Sequence, residues 1–294
     1  MRRPGPYASE AAFRRGLEDR LKARASERAE DLARLRRLVA FDRVLARLFA
    51  AGEAAPWLVK GGYGLEARFR LRARTTRDLD LAVSPGRGLG DPAQVEVALQ
   101  GALRATLEDG FTLAVKPARE LHGPPERGSR FTVDLALAGR PFTSFHIDVG
   151  LGDPELEPPD WIVGEDFLSF AGIPAARIAL VPVSQQFAEK LHAYTRPRPK
   201  SPNTRVKDLI DLNLLLEVGL PGEDRLAKAL RATFESYASH PLPSHLPEPP
   251  IAWALPYEAL ARQIGLAAAT LESAHAAVAA LWLGLVTRIM RSHE

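Results

Sequence analysis

The chain has 294 residues and a mass of 32.1 kDa, which is enough for about two domains of roughly 100 to 200 residues each. Its 46% hydrophobic and 26% charged residues are typical of folded globular proteins and exclude intrinsic disorder and low-complexity repeats. The absence of cysteine excludes disulfides, thiolate metal sites and a cysteine nucleophile, and it predicts a cytoplasmic protein. The longest apolar stretch near the end, residues 276–286, is shorter than the roughly 20 residues of a membrane span, so we expect no membrane association.

Positive charge is concentrated at the N-terminal end of the chain, although the formal net charge is only +3. Residues 1–80 hold 19 Lys and Arg against 11 Asp and Glu, whereas the other residues hold 20 against 25. Clustered cations release counterions from a phosphate backbone, which favours a polyanionic partner. Arginine is also a good helix former, so a pair of solvated helices explains the same pattern equally well.

The N-terminal part of the chain changes from helical to strand periodicity. Apolar residues recur at helical spacing from Ser9 to Ala51, which predicts two amphipathic helices. The apolar run from Pro56 to Lys60 predicts a strand, a tight turn at Gly61 and Gly62, and then a short helix. Charged and apolar residues alternate from Asp78 to Val83, which predicts a strand with one buried face.

The middle of the chain is predicted to complete a sheet. Residues 92–109 have a helical pattern, and three later segments alternate with the period of a strand, namely Phe111–Val115, Arg130–Ala138 and Thr143–Val149. Prolines and glycines are frequent between Asp153 and Arg177, which predicts a crossing loop.

The C-terminal part is predicted to be helical. One helix is expected from Ser184 to Tyr194 and a second from Arg205 to Glu217, and residues 257–291 form one or two more after a proline-rich break. The fold class is therefore α/β (α+β), a mixed sheet with flanking helices and a helical C-terminal lobe. We predict one lobe over residues 1–180, which includes the N-terminal helices, and a second over residues 181–294.

Three carboxylates are expected to converge on one face of the sheet. Asp78 and Asp80 are two apart on one strand and point to the same side, and Asp148 lies on a later strand. Such a group would repel itself without a cation, whereas two divalent ions such as Mg²⁺ would be held by its oxygens. This pattern predicts phosphoryl transfer, although an Asp-x-Asp pair alone is common on protein surfaces.

The glycine pair before these acids favours the same chemistry. Gly61 and Gly62 lie where a strand meets a helix, so their backbone N–H groups can face a triphosphate at the positive end of that helix. Two glycines after a strand are more often a simple turn. Their position one short helix before Asp78-Leu79-Asp80 is what favours the phosphate site.

Four segments together resemble the AbiEii-type toxins, including the mycobacterial MenT group, of the nucleotidyltransferase superfamily. The resemblance covers most of the chain and is carried by Leu58-Val-Lys-Gly-Gly62, Arg74-Thr-Thr-Arg-Asp-Leu-Asp80, Glu189-Lys-Leu-His-Ala193 and Arg205-Val-Lys-Asp-Leu-Ile-Asp211. It implies a nucleotidyltransferase-like catalytic lobe and a toxin paired with a separately encoded antitoxin. It also implies transfer of nucleotides from an NTP, with CTP as one candidate donor, to tRNA 3′ ends.

The resemblance also assigns roles to individual positions. It implies that Asp78, Asp80 and Asp148 bind metal, that Lys190 neutralises the triphosphate, and that Asp211 is needed for activity, either to hold Lys190 or to orient the nucleotide. For Asp208 and Asp211 a surface or capping role is the alternative. The predicted nucleotide site consists of Lys60, Gly61, Gly62, Thr76, Arg77, Lys190 and Asp208. The seven histidines lack metal-site spacing, and we predict none as a ligand, although His146 shares a strand face with Asp148.

Two groups of cations are expected to flank one cleft. The first precedes the Asp pair and the second follows Lys190; they are Arg68, Arg70, Arg72, Arg74 and Arg77, and Arg196, Arg198, Lys200, Arg205 and Lys207. A triphosphate needs only two or three cations, so the surplus favours an RNA backbone. Aromatic residues make up 7% of the chain, which favours recognition of shape and phosphate over base stacking.

Three functions are compatible with these residues. The first is a metal-dependent toxin nucleotidyltransferase, expected to be a monomer, that modifies tRNA. The second keeps the same fold but transfers the nucleotide to a small molecule or a protein. The third is a non-catalytic module that binds RNA or an antitoxin, and it predicts salt-sensitive binding that is indifferent to Mg²⁺.

Overall fold

The computed structural model describes residues 7–121, 128–152, 154, 157–198 and 202–291. Two helices open the chain, α1 (Glu10–Arg28) and α2 (Leu32–Leu48). Each begins at a capping side chain, because Ser9 and Asp31 accept hydrogen bonds from the backbone N–H three residues further on. The prediction of two N-terminal helices is confirmed.

The strands of the described residues form one mixed sheet. They are β1 (Trp57–Lys60), β2 (Leu79–Val83), β3 (Phe111–Val115), β4 (Arg119–Leu121), β5 (Gly128–Leu137), β6 (Arg140–Gly150), β7 (Asp160–Val163) and β8 (Arg177–Leu180). Their order across the sheet is β3-β5-β6-β2-β1-β8-β7, with β4 paired to β5. At the centre, β2 is parallel to β6 and antiparallel to β1, which brings residues distant in sequence into register.

The other helices are α3 (Gly61–Phe69), α4 (Pro92–Leu103), α5 (Val183–Thr195), α6 (Val206–Val218), α7 (Glu223–Tyr237), α8 (Ala254–Ile264) and α9 (Leu271–Arg291). The short α3 follows β1 directly, and α5 follows β8 directly, so both helices begin beside the centre of the sheet. A mixed sheet with a helical C-terminal part confirms the predicted fold class. In the described part of the chain, no helix is long and apolar enough to span a bilayer.

The buried hydrophobic side chains form two clusters. The larger joins α1, α2 and α4 to one face of the sheet and extends from Phe13 to Val181. The smaller lies within the C-terminal helices, from Phe187 to Ile289, and also takes in Leu65 of α3 and Ala73. The division into lobes at residue 180 stays a prediction.

The structure differs from the sequence-based expectation between Asp153 and Arg177. This segment was predicted to be a crossing loop, but it contains β7, which pairs antiparallel with β8 at the edge of the sheet. The strand has only four residues and none of them is fully buried, so its alternation is too short to be recognised beside the surrounding prolines. The helix predicted over residues 92–109 also ends earlier, at Leu103.

Candidate active site

One row of charged residues crosses the centre of the sheet. Lys60 of β1 is the register partner of Asp80 of β2, Asp80 is the partner of Asp148 of β6, and Asp148 is the partner of Arg130 of β5. Register partners on neighbouring strands lie about 5 Å apart with their side chains on the same face. The row therefore presents two adjacent carboxylates between two cations.

Glycines allow the start of α3 to lie directly against this row. Gly61 has φ of +62° and a Cβ there would collide with the carboxylate of Asp80, so only glycine fits. A Cβ on Gly62 would lie 2.9 Å from Oγ1 of Thr76, so this glycine is also tightly packed. The carbonyl of Gly61 accepts a hydrogen bond of 2.8 Å from Nε2 of Gln186, which ties this turn to α5.

Asp80 is the most strongly perturbed carboxyl group of the row. Its pKa is raised to about 6: burial is the largest cause and the carboxylates of Asp148 and Asp78 act in the same direction, while Lys190 and Lys60 oppose them. Asp80 accepts no hydrogen bond from the described residues. A half-buried carboxylate with a raised pKa and no hydrogen-bond donor favours binding of either a proton or a cation.

The other two predicted metal ligands are each paired within the protein. Arg130 donates two hydrogen bonds to Asp148, 2.7 Å from Nε to Oδ1 and 2.6 Å from Nη2 to Oδ2. Asp78 precedes the first residue of β2, and its Oδ1 lies 3.4 Å from Nδ1 of His146. Within the described ranges, no three acidic or histidine side chains come close enough together to enclose a metal ion.

Lys190 is held above the row by carboxylates from α6. Its Nζ lies 2.8 Å from Oδ2 of Asp211 and 3.1 Å from Oδ1 of Asp208. Arg74 donates two hydrogen bonds, of 2.9 and 2.7 Å, to the fully buried Asp211. The two cations keep the pKa of Asp211 below its usual value in spite of burial, so this carboxylate stays ionised.

A cleft of about 390 Å³ opens above the row and has the size of a small-ligand site. Six of its lining side chains are cationic and four are acidic: Lys60, Arg130, Lys190, Arg196, Arg198 and Arg205, and Asp80, Asp148, Glu189 and Asp208. His192 also lines it, and burial, with smaller contributions from His240 and Arg196, lowers its pKa to about 3. His192 is therefore neutral at physiological pH, and the cleft is suited to an anionic ligand.

The predicted site residues divide into those that line the cleft and those that lie behind it. Lys60, Gly61, Asp80, Asp148, Lys190 and Asp208 line it. Asp211, Gly62 and Thr76 are buried behind this lining, Asp78 is half-exposed beside it, and Arg77 is exposed outside it. Their roles in catalysis and nucleotide binding stay predictions.

The expectation that both groups of cations flank one cleft is wrong for the first group. None of the arginines between Arg68 and Arg77 lines it. The guanidinium of Arg74 donates hydrogen bonds to Asp211 instead, and Nη2 of Arg68 lies 2.7 Å from Oδ2 of Asp160. The second group does contribute, through Arg196, Arg198 and Arg205, whereas Lys200 lies outside the described residues.

The sequence that builds this site matches the model of a known family. The model of the family described as nucleotidyl transferase AbiEii toxin, type IV TA system, covers residues 43–287, which include the whole row, α5 and α6. The chain belongs to the AbiEii nucleotidyltransferase toxin family. Membership of this AbiEii family implies a nucleotide substrate and a cognate antitoxin.

One solved structure agrees with the fold of this AbiEii family member. MenT4, a nucleotidyltransferase toxin from Mycobacterium tuberculosis H37Rv, is 18% identical, with a TM-score of 0.61 over 92% of this chain and 89% of that chain. ANT(2″)-Ia in complex with adenylyl-2″-tobramycin is 14% identical, with a TM-score of 0.39 over 68% of this chain and 98% of that chain. No curated protein sequence matches the chain.

Two residues of the AbiEii site are absent from the sequence-based site prediction. Arg130 closes the charged row, and Arg74 anchors Asp211. Arg74 lies in a run of alternating arginines, and nothing in that run predicts which arginine pairs with Asp211. Arg130 could have been found only by aligning β5 with β6, since its partner is 18 residues away in sequence.

Proposed function

We propose that this toxin transfers nucleotides from an NTP, with CTP as the candidate donor, to the 3′ end of tRNA, and that it acts as a monomer in the cytoplasm. The observation that carries the proposal is the pair of in-register carboxylates, Asp80 and Asp148, facing Lys190 across a cationic cleft. The cations of such a cleft can bind a polyanion, and the two carboxylates lie next to that bound polyanion. Arg196, Arg198 and Arg205, the cations of the second group that line the cleft, favour RNA as the acceptor.

The triphosphate would lie against the start of α3 and Lys190. Gly61 and Gly62 allow a close approach of the backbone there, and Lys190 supplies an ammonium group that neutralises charge on the phosphates. Asp211 and Asp208 keep that ammonium in place. The pKa of Lys190 is raised because these carboxylates outweigh the effect of burial, so the cation persists at any physiological pH.

Divalent cations fit the donor set of this site. Asp80 is a half-buried carboxylate without a hydrogen-bond donor among the described residues, and Asp148 lies beside it in register. We propose that these two residues, together with Asp78, would hold two Mg²⁺ ions. The three carboxylates would have to move closer together on binding, because among the described residues they do not form a group that encloses an ion. When bound, such ions supply Lewis-acid stabilisation of a phosphoryl group and of the leaving pyrophosphate. A carboxylate of the row, with Asp148 the candidate, would draw the proton from the attacking hydroxyl group.

Labelled NTPs incubated with tRNA and Mg²⁺ test the proposal. We expect label at the tRNA 3′ end, and a loss of at least about a hundredfold in Asp80→Asn. Asp134→Asn is the matched control, since Asp134 is an exposed carboxylate on the same sheet that pairs with Lys116 outside the cleft. Absence of transfer with each of the four NTPs, or equal transfer by Asp80→Asn, contradicts the proposal.

The alternative acceptors are separated by the labelled product. Nuclease treatment removes the label if RNA is the acceptor and leaves it if a small molecule or a protein is modified. A binding module without activity would instead retain tRNA in the absence of Mg²⁺, with the same affinity in Asp80→Asn.

A further inference from the structure

Arg130 occupies both oxygens of one of the two central carboxylates. Its guanidinium makes a two-pronged contact with Asp148, in which Nε and Nη2 each donate to a different carboxylate oxygen. This is the strong, planar geometry of an arginine–carboxylate pair. The pair lies at the wall of the cleft, and the Arg130 side chain is 41% exposed.

The neighbouring carboxylate, that of Asp80, differs from Asp148 in its hydrogen bonding. Asp80 has no hydrogen-bond donor among the described residues, although it is the register partner of Asp148. One half of the acidic pair is therefore open, and the other half is closed by an arginine. A cation that uses oxygens of both side chains would lie next to the Arg130 guanidinium, whose positive charge and two hydrogen bonds to Asp148 oppose its binding.

We propose that Arg130 is a built-in counter-ion that competes with the divalent cation for Asp148, so that binding of the cation breaks the Arg130–Asp148 pair. The proposal rests on the proposed function, which assigns a cation to these acids. Arg130 is a positioning residue in this scheme, because it acts through Asp148. Once released, its guanidinium stays at the cleft wall, where a substrate phosphate is a suitable partner.

The competition also explains how two adjacent carboxylates coexist in the protein without a cation. Lys60 precedes Asp80 in the row and Arg130 follows Asp148, so each acid has one cationic neighbour in register. The Lys60 ammonium also lies 3.6 Å from Oε2 of Glu189 and is thus shared. Arg130 donates two hydrogen bonds directly to Asp148 of the acidic pair. We therefore expect that its removal has a large effect on the affinity for the cation.

Mn²⁺ binding to the full chain tests this proposal without any need for activity. The dissociation constant is measured by calorimetry and by the electron paramagnetic resonance of free Mn²⁺, at pH 7.5 without nucleotide. Three variants are compared with the unmodified protein: Arg130→Gln removes the competitor, Arg130→Lys keeps the charge but loses the two-pronged geometry, and Lys116→Gln removes a cation elsewhere on the same sheet. Thermal unfolding verifies that each variant is folded.

We expect Arg130→Gln to bind Mn²⁺ about fivefold more tightly than the unmodified protein, because a partly exposed ion pair that competes with the cation is lost. The affinity of Arg130→Lys should lie between these two. Lys116→Gln should stay within about twofold. Equal affinity in both Arg130 variants and the unmodified protein, or weaker binding in them, overturns the inference alone. Absence of Mn²⁺ binding in every protein overturns both the inference and the metal-dependent part of the proposed function. Tighter binding in Arg130→Gln, in a protein that transfers no nucleotide, supports the inference and contradicts the function.

Discussion

The backbone of Gly61 lies against the carboxylate of Asp80 so closely that no side chain fits between them. Gly61 also has φ of +62°, a conformation that other residues adopt at a cost. The contact joins the start of α3, where we place the triphosphate, to the acid that we place at the metal. One glycine therefore sets the distance between the two halves of the proposed chemistry.

Gly61→Ala should abolish nucleotidyl transfer and lower the free energy of unfolding by about 2 kcal/mol, because Asp80 has to move and the backbone is strained. Gly101→Ala is the matched control. Gly101 lies in α4, and a Cβ added there would meet no other atom within 4 Å. Alanine at this position should therefore raise the free energy of unfolding by about 0.5 kcal/mol without changing activity. Transfer assays and denaturant unfolding measure both quantities. Full activity in Gly61→Ala would show that the contact is not required.

Asp211→Asn should lower both activity and stability, since it leaves Arg74 and Lys190 facing a neutral amide in a buried position. Breaking a buried ion pair on one side costs about 3 kcal/mol, and a mobile Lys190 should reduce kcat/KM by about a hundredfold. The control is Asp224→Asn, since Asp224 makes an exposed pair with Arg288 far from the cleft. A variant that loses stability but keeps its kcat/KM would restrict Asp211 to a structural role.

The raised pKa of Asp80 predicts a pH-dependent gain of stability in Asp80→Asn. In the folded chain this acid has a pKa of about 6, above the value of 3.8 for an unperturbed aspartate, so its ionisation opposes folding as the pH rises through this range. Without divalent cations, Asp80→Asn should be more stable than the unmodified protein by up to about 3 kcal/mol at pH 7.5, the free energy that corresponds to the difference between these two pKa values. The difference should disappear below pH 4.

Urea unfolding in EDTA at several pH values measures this difference, and Mg²⁺ should reduce it by stabilising only the protein that retains Asp80. The same gain at pH 3.5 and pH 7.5 would mean that ionisation of Asp80 is not its cause.

The second group of cations, which follows Lys190, should govern the salt dependence of tRNA binding. Arg196 and Arg205 line the cleft, so the double variant Arg196→Gln/Arg205→Gln should bind tRNA more weakly and reduce the slope of log K against log salt by about 1 to 2. Arg288→Gln removes a cation that pairs with acids of α7 and serves as the control. Filter binding at several salt concentrations gives the slopes. An unchanged slope would place the RNA outside this cleft.

Local sequence patterns were sufficient for most elements of the fold. Periodicity predicts the helices α1, α2, α5 and α6 and the central strands. An amphipathic helix or a half-buried strand has apolar residues at a characteristic spacing along the sequence. The short edge strand β7 has too few residues to do so. It forms because its backbone pairs with the neighbouring strand β8.

Residue types and spacing likewise indicate where the site lies, since Gly61, Asp80, Asp148 and Lys190 are all predicted from the sequence and all line the cleft. The sequence could not reveal which cations oppose which acids. Arg74 with Asp211 and Arg130 with Asp148 are pairs made by the packing of α6 and by the register of β5 on β6. Ion pairs of this kind depend on positions in space, and no local pattern along the chain encodes them.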